Sequence, residues 1–504
     1  MKNKLTIIAL AILPFCFSSC DKVPEELESA RLVDEMKLNI SESGFEIVQT
    51  RSHQLSVELL PEGAVDSQFV WVSSDPEVVS ISEEGLITAV SEGQAIVGAQ
   101  LTNGRRRAVT RITVLPYVAE NPIKTITLDK TEHVFASIAD DPVTLNTTLQ
   151  ATNPAEEITI STLRWSSDNK SVVQVDENGK VVIIGGGEAK VRCDAIDGGK
   201  AFAECRFVVP GNEIKDLYYD ATGPQFADGY YKKVYGQVEI EVPVLDNTGN
   251  KTGQTEKQVW LDRNLGAERR ATESAPGAGD AGSDHKAFGS LFQWGRKADG
   301  HEKVVWDKVD GAYSYVISDY VTAAADDRAN AGHSSFIQIS NDWCTSTPEG
   351  LWGGSQFTIN TGAATEAQFE SMGYHARLDH PSQANNPCPY GYRVPTILEY
   401  HQMLVAVSGM DKIIFNNNGN NVPSIDVFTK EPMCLAFAGN RANAAAGQTT
   451  LSNSGVWIML WTNSAQKASH GWPMRIQNTG KNFRIAAQQK ANGYAIRCIK
   501  DSSK

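Results

Sequence analysis

At 504 residues, with 41% hydrophobic and 21% charged residues interspersed, the chain is too long for one ordinary core and too apolar to stay disordered. Three domains are expected. The formal charge of −14 repels phosphate backbones and disfavours nucleic acid as a partner, since the only dense basic runs, Arg105-Arg106-Arg107 and Arg269-Arg270, read as solvated strand edges or loops.

The N-terminus carries an address. Lys2 and Lys4 precede a short apolar run, Leu5 to Phe17, too brief to span a membrane, and residues 1–19 read as a secretory signal. Phe-Ser-Ser-Cys at 17–20 resembles a bacterial lipobox, which implies cleavage before Cys20 and lipid on that residue. The expectation is an outer-membrane lipoprotein exposed at the cell surface, with the periplasmic face as the alternative. Residues 20–33 are acidic and polar and read as a tether. Cys193, Cys205, Cys344, Cys388, Cys434 and Cys498 then form an even set in an exported chain, which suggests disulfides. None lies in a CxxC pair, so no structural zinc site is expected.

An internal repeat follows. Trp71, Val78, Gly85, Gly93, Ala95 and Val97 recur 94 residues later, without a gap, as Trp165, Val172, Gly179, Gly187, Ala189 and Val191. Short alternating runs separated by turn residues predict a small β-sandwich in each unit, with positive φ at Gly85 and Gly179 and the repeated Trp as a core plug. Both units resemble bacterial Ig-like group 2 domains, at about 34–116 and 123–210, through W-x-S-S-D and G-x-x-T-A-x-x-x-G-x-A. The second departs at Val182-Ile183-Ile184, where Thr-Ala-Val is usual. In that family such domains are mostly spacers and adhesin stalks. A turn centred on Gly199 would set Cys193 opposite Cys205 and Val191 opposite Phe207, all on one face, and so predicts a Cys193–Cys205 bridge.

From about 216 the texture changes, with eight of the ten Trp in this part. A β-hairpin is expected over KKVYGQVEIEVPVLD and EKQVWLDRNLGA, and a helix over ILEYHQMLVAVSG, 397–409. VWLDRNLGA, GSLFQWGR, CPYGYRVPTILEY, LAFAGNR, WTNS and GYAIRCIKD occur in the order seen in the FISUMP (Fibrobacter succinogenes major paralogous) domain, which residues 216–501 resemble. The resemblance implies an irregular α+β, C-type-lectin-like or sulfatase-modifying-factor-like fold with long ligand-facing loops. It also implies that Cys388 pairs with Cys498. The chain departs from the family at Trp457-Ile458-Met459-Leu460-Trp461, where Tyr-Trp-Ser-Ser is usual, and in a long insertion at 300–385. Cys344 and Cys434 are extras that are expected to bridge each other. The whole fold class is therefore two all-β Ig-like sandwiches followed by an irregular α+β C-type-lectin-like domain.

Catalytic patterns are sparse. GAGDAG at 277–282 matches G-x-G-x-x-G but opens no βαβ unit, and reads as an acidic loop whose Asp280 and Asp284 could at most ligate a surface Ca²⁺. Asn341-Asp342-Trp343 has the letters of a lectin signature in another order, and His375 and His380 have a spacing that suits no common metal site. There is no HExxH and no GxSxG, so neither an enzyme nor a cofactor is expected. In the run 452–475, Trp457, Trp461 and Trp472 stand among Asn463, His470 and other polar residues, a composition that suits a sugar ring or a protein epitope. The expected function is a lipid-anchored surface protein whose lectin-like head binds a glycan or surface protein. An envelope or pilus-associated assembly subunit is the alternative, and an enzyme of the sulfatase-modifying type a more remote one.

Overall fold

The computed structural model describes residues 32–502 apart from 42–43, 65–67, 102–105, 157, 159–162, 272–283, 310–311, 329, 346–350, 359–365, 376–382, 412–419, 422–425, 443–450 and 479–481. The signal, Cys20, most of the tether, the 277–282 loop and His380 lie outside the described residues. The chain divides into two compact units, one comprising residues up to Ile47 and Arg51–Val114 and the other Val48–Thr50 and the residues from Leu115 onward.

The first unit is a β-sandwich built from β1 (Glu35–Leu38), β2 (Phe45–Val48), β3 (Ser52–Gln54), β4 (Val57–Leu60), β5 (Phe69–Ser73), β6 (Val79–Ile81), β7 (Leu86–Ala89), β8 (Gly93–Leu101) and β9 (Arg107–Leu115). One sheet has the order β2-β9-β8-β5 and the other β3-β7-β6, while β1 pairs with β4. The repeat in the sequence becomes a repeat in topology. Strands β10 (Ile123–Leu128), β11 (Glu132–Val134), β12 (Val143–Thr144), β13 (Thr147–Ala151), β14 (Leu163–Ser167), β15 (Val173–Val175), β16 (Lys180–Ile183), β17 (Gly185–Ala195) and β18 (Phe202–Lys215) follow it strand for strand. Their sheets run β11-β18-β17-β14 and β12-β16-β15, with β10 on β13.

The repeated residues touch one another. A Cβ on Gly85 would stand 2.6 Å from the Trp71 ring and 2.9 Å from the Leu55 carbonyl oxygen, and one on Gly179 2.8 Å from the Trp165 ring. Both glycines take positive φ, as the turns require. Gly93 and Gly187 make room in the same way for Val78 and Val172. Each repeated Trp therefore lies across its turn glycine. It is half-buried at the margin of the core rather than sealed in its centre.

The β17–β18 hairpin corrects one expectation. Cys193 faces Ala203, and Val191 faces Cys205, two residues away from the expected pairing. Asp197 sets this register by accepting from Ile123 N–H (2.7 Å) and Gly199 N–H (3.0 Å), which pins the turn to β10. The turn closes at Ala195–Ala201, with Gly198 at φ 91°. Cys193, Val191, Cys205 and Phe207 do share the buried face, but Cys193 and Cys205 are diagonal neighbours, roughly 7–8 Å apart at Cα, beyond the usual reach of a disulfide. Both remain free thiols, and burial pushes them up to about 12 and about 11.

Beyond residue 216 most of the described regular elements are short, and a few long ones frame them. β19 (Val234–Tyr235) is followed by the long hairpin β20 (Gln237–Leu245) and β21 (Lys251–Leu261), whose sheet continues through Ile499–Lys500 to Tyr392–Arg393. The expected helix forms over Ile397–Ser408 and ends at Gly409 with φ 70°. Trp457–Lys467 and His470–Gln477 form a second long hairpin. Its first strand runs between two cores. Ile458 and Leu460 join Trp260, Tyr400, Met403 and Leu404 on one side, whereas Met459 and Trp461 join Trp294, Trp352 and Tyr392 on the other. A strand buried on both faces needs an unbroken apolar run, which accounts for Trp-Ile-Met-Leu-Trp.

Strand β18 passes straight through the boundary expected near 210–216. Its last residues, Ile214 and Lys215, pair with Tyr235 and Val234 of β19.

Candidate functional site

The segment around Cys388 is built from its own residues upward. Cys388 and Cys498 are bonded, closing a separation of 110 residues. Arg393, fully buried, holds Glu399 through two hydrogen bonds of 2.8 and 2.6 Å and lies 3.6 Å from Asp501. Glu399 also accepts from Thr396 N–H, while Thr396 Oγ1 accepts from Glu399 N–H, so Thr-x-x-Glu is the capping box of the helix. Burial pushes the Glu399 carboxyl up, but the Arg393 guanidinium outweighs it and holds the group below its ordinary range. Every distinctive residue of RVPTILEY thus has a partner inside the fold.

Other motif residues behave alike. Asn264 donates to Phe288 O, and Arg497 donates to Asn264, Leu261 O and Met433 O. Arg441 donates to both oxygens of Ser318 and lies 4.1 Å from the centre of the Phe336 ring. Arg269 holds Asp284, and Arg270 holds Glu431, so this basic pair is anchored. Asp284 is buried and taken by that contact, which removes it as a surface Ca²⁺ ligand.

The aromatic run at 452–475 is not a ligand-facing loop. Trp461 and Asn463 are wholly buried and Trp472 nearly so, while Trp457 and His470 are half-buried. Trp461 donates its indole N–H to Phe292 O, Trp472 to Phe357 O, Trp294 to Thr462 O, Trp343 to Trp294 O, Trp352 to Asn385 O and Trp306 to Gly289 O. A domain with few ladders has many buried carbonyls that need donors, and the indoles supply them from within the apolar filling. Arg475 covers Trp457, 4.8 Å from its ring centre, and Asn463 donates to Tyr374 O. His470 Nδ1 meets Ser469 Oγ at 2.8 Å, and burial holds this ring below its ordinary value. Cys344 and Cys434 lie in separate apolar clusters and form no disulfide, so the expected bridge between them is not made. The Asn341-Asp342-Trp343 triplet is equally occupied, with Asp342 held by two bonds from Arg328 and Trp343 fully buried.

Sequence reading missed one polar centre. Asp299, His301 and Glu302 bring their ligating atoms within 4.8 Å of one another. Gln293 N–H donates to His301 Nε2 (3.0 Å), so the ring proton sits on Nδ1, which donates to Asp299 (2.8 Å) and stands 3.2 Å from Glu302. Both ring nitrogens are engaged and neither offers a lone pair to a cation, so the donor set does not fit a metal. Glu302 takes Tyr231 Oη–H and Gly300 N–H, and Arg296 binds Asp299 at 2.8 Å. Burial raises the Asp299 carboxyl, but His301 and Arg296 outweigh burial and hold it at about 2. The signal in the sequence was the spacing D-x-H-E after Arg296, which a turn gathers into one knot.

With this geometry in place, the family match falls within the first unit. Residues 37–110 are a bacterial Ig-like domain of group 2. The chain is 34% identical over 99 residues, 19% of its length, to a polysaccharide lyase 8 family protein, HylA, of Enterococcus faecalis, of which it covers 7%. It is 24% identical over 195 residues, 38% of its length, to an uncharacterized protein of Clostridium acetobutylicum, of which it covers 19%. The chain thus spans less than a fifth of either relative. Among solved structures, domains 4 and 5 of the S-layer protein SbsC are 17% identical and wholly covered, over 36% of this chain, with a TM-score of 0.15.

Proposed function

We propose that the protein is a lipid-anchored cell-surface binding protein, held in the outer membrane through Cys20, whose two sandwiches carry a lectin-like, non-enzymatic head that recognises a glycan or a surface protein. One observation carries the reading. The polar motifs of the head are engaged with one another inside the fold, which leaves recognition to its surface. The group 2 Ig-like module supports a spacer role for the N-terminal part. No cofactor is needed for such binding.

The recognition residues move with the geometry. Trp461, Asn463 and Trp472 are core, so ligand contact falls to aromatic side chains left in water. Among the described residues of the head these are Tyr320, 38% exposed, and Tyr374, 54% exposed, both within the 300–385 insertion. Aromatic faces of this kind suit sugar rings. The test uses the whole lipid-free chain on a glycan array and in pull-downs of surface proteins. Tyr320→Ala and Tyr374→Ala should weaken a bound ligand at least tenfold with the melting temperature unchanged. A correctly folded chain that binds nothing in either assay overturns the reading. Recovery of the protein only within a defined polymer, lost on its deletion, would establish the assembly subunit instead.

A further inference from the structure

The junction between the second sandwich and the C-terminal domain is a packed interface. Lys215 N–H donates to Ile184 O (2.8 Å) and Asp216 N–H to Lys233 O (2.9 Å). Tyr235 Oη donates to Asp216 (2.7 Å), and Gln237 bridges the two parts, donating to Asn212 O (2.6 Å) while accepting from Tyr392 Oη (2.7 Å). Ile184 and Ile214 of the sandwich share one apolar cluster with Tyr235, Tyr392, Cys388 and Cys498. Gly391, in the same turn as Tyr392, lies against Ser171 of the sandwich. Apart from the Lys215 bond, which lies within the sandwich, a spacer joined by a linker would show none of these contacts.

We propose that the second sandwich is a built-in cap on the disulfide-closed domain: residues from Leu115 onward open as one cooperative unit, and the Cys388–Cys498 bond becomes reducible only when the cap lifts. Lifting it would expose Ile184, Ile214, Tyr235 and Tyr392 to water together, so partial opening is unfavourable. Both cysteines are buried and belong to the apolar cluster that Ile184 and Ile214 join. Added dithiothreitol reduces such a bond by thiolate attack on one sulfur. The S–S bond breaks, two cysteine thiols form, and the reagent closes to its own cyclic disulfide.

Amide hydrogen exchange on the unmodified, lipid-free chain is the primary test. The amides of Lys215 and Asp216 should exchange at a common rate, with one denaturant dependence, together with those of Leu261 and Asp501, which donate to Cys498 O and Gly391 O. Reduction by dithiothreitol, followed by mass mapping of Cys388 and Cys498, should track that same rate. Ile214→Asp should speed the reduction at least tenfold while the amides of the first unit keep theirs. Earlier opening of β17 and β18 with the disulfide still protected would overturn the proposal, as would an unchanged reduction rate in a folded Ile214→Asp chain. If that variant does not fold, the exchange pattern of the unmodified chain decides.

Discussion

Arg393 and Glu399 show how a single pair ties chain ends to a helix. Arg393 is 1% exposed and Glu399 16% at their side chains, so neither charge is well solvated once its partner is gone. Glu399→Gln should cost about 3–5 kcal/mol in urea unfolding, the usual range for breaking a buried pair. Thr396→Ala, which removes only the cap, should cost about 1 kcal/mol. The pH dependence follows from the sign of the shift. A carboxyl held below its ordinary value in the folded state binds fewer protons there than in the unfolded chain. Its stabilisation is complete above the ordinary carboxylate range and drains away as pH falls through the lowered value. The gap between wild type and Glu399→Gln should therefore narrow as the pH is taken from neutral into that range. A gap that stays constant would mean that the carboxylate is not the stabilising form.

At the level of elements, the Trp–Gly contact and the indole–carbonyl bonds are open to direct test. Gly85→Ala puts a methyl group against Trp71 and the Leu55 carbonyl at a backbone angle that side chains resist. A loss of about 1–3 kcal/mol is expected, and Gly179→Ala should match it in the second sandwich. Trp461→Phe keeps most of the apolar volume but removes the donor to Phe292 O, which should cost about 1–3 kcal/mol. Were Trp461 a ligand contact, the same variant would lose binding while keeping its melting temperature. The helix Ile397–Ser408 and the alternation in β17 were legible in the sequence because each depends on local spacing and, for the helix, a local cap. The β17–β18 register was not. It rests on Asp197 reaching back to Ile123, a contact between residues 74 apart.

Across the whole molecule, redox state and unit structure are what remain to be measured. Four described cysteines are buried and form no disulfide, so thiol reagents should find none of these four in the native lipid-free chain and all four on denaturation. A fifth and sixth should appear only after reduction of Cys388–Cys498. That loop of 110 residues makes the bond worth about 4–5 kcal/mol in the chain-entropy view, so Cys388→Ala with Cys498→Ala should lower the unfolding midpoint by a corresponding amount. The repeat, the alternating strands and the capped helix were set by the sequence alone, since each follows from the period of side chains along one stretch of backbone. Only the tertiary structure decided that Cys193, Cys205, Cys344 and Cys434 stay out of disulfides, why Trp461 and Trp472 are core, and that β18 pairs with β19 across the expected boundary. These depend on which faces are covered from both sides, and burial of that kind is a property of neighbours distant in sequence.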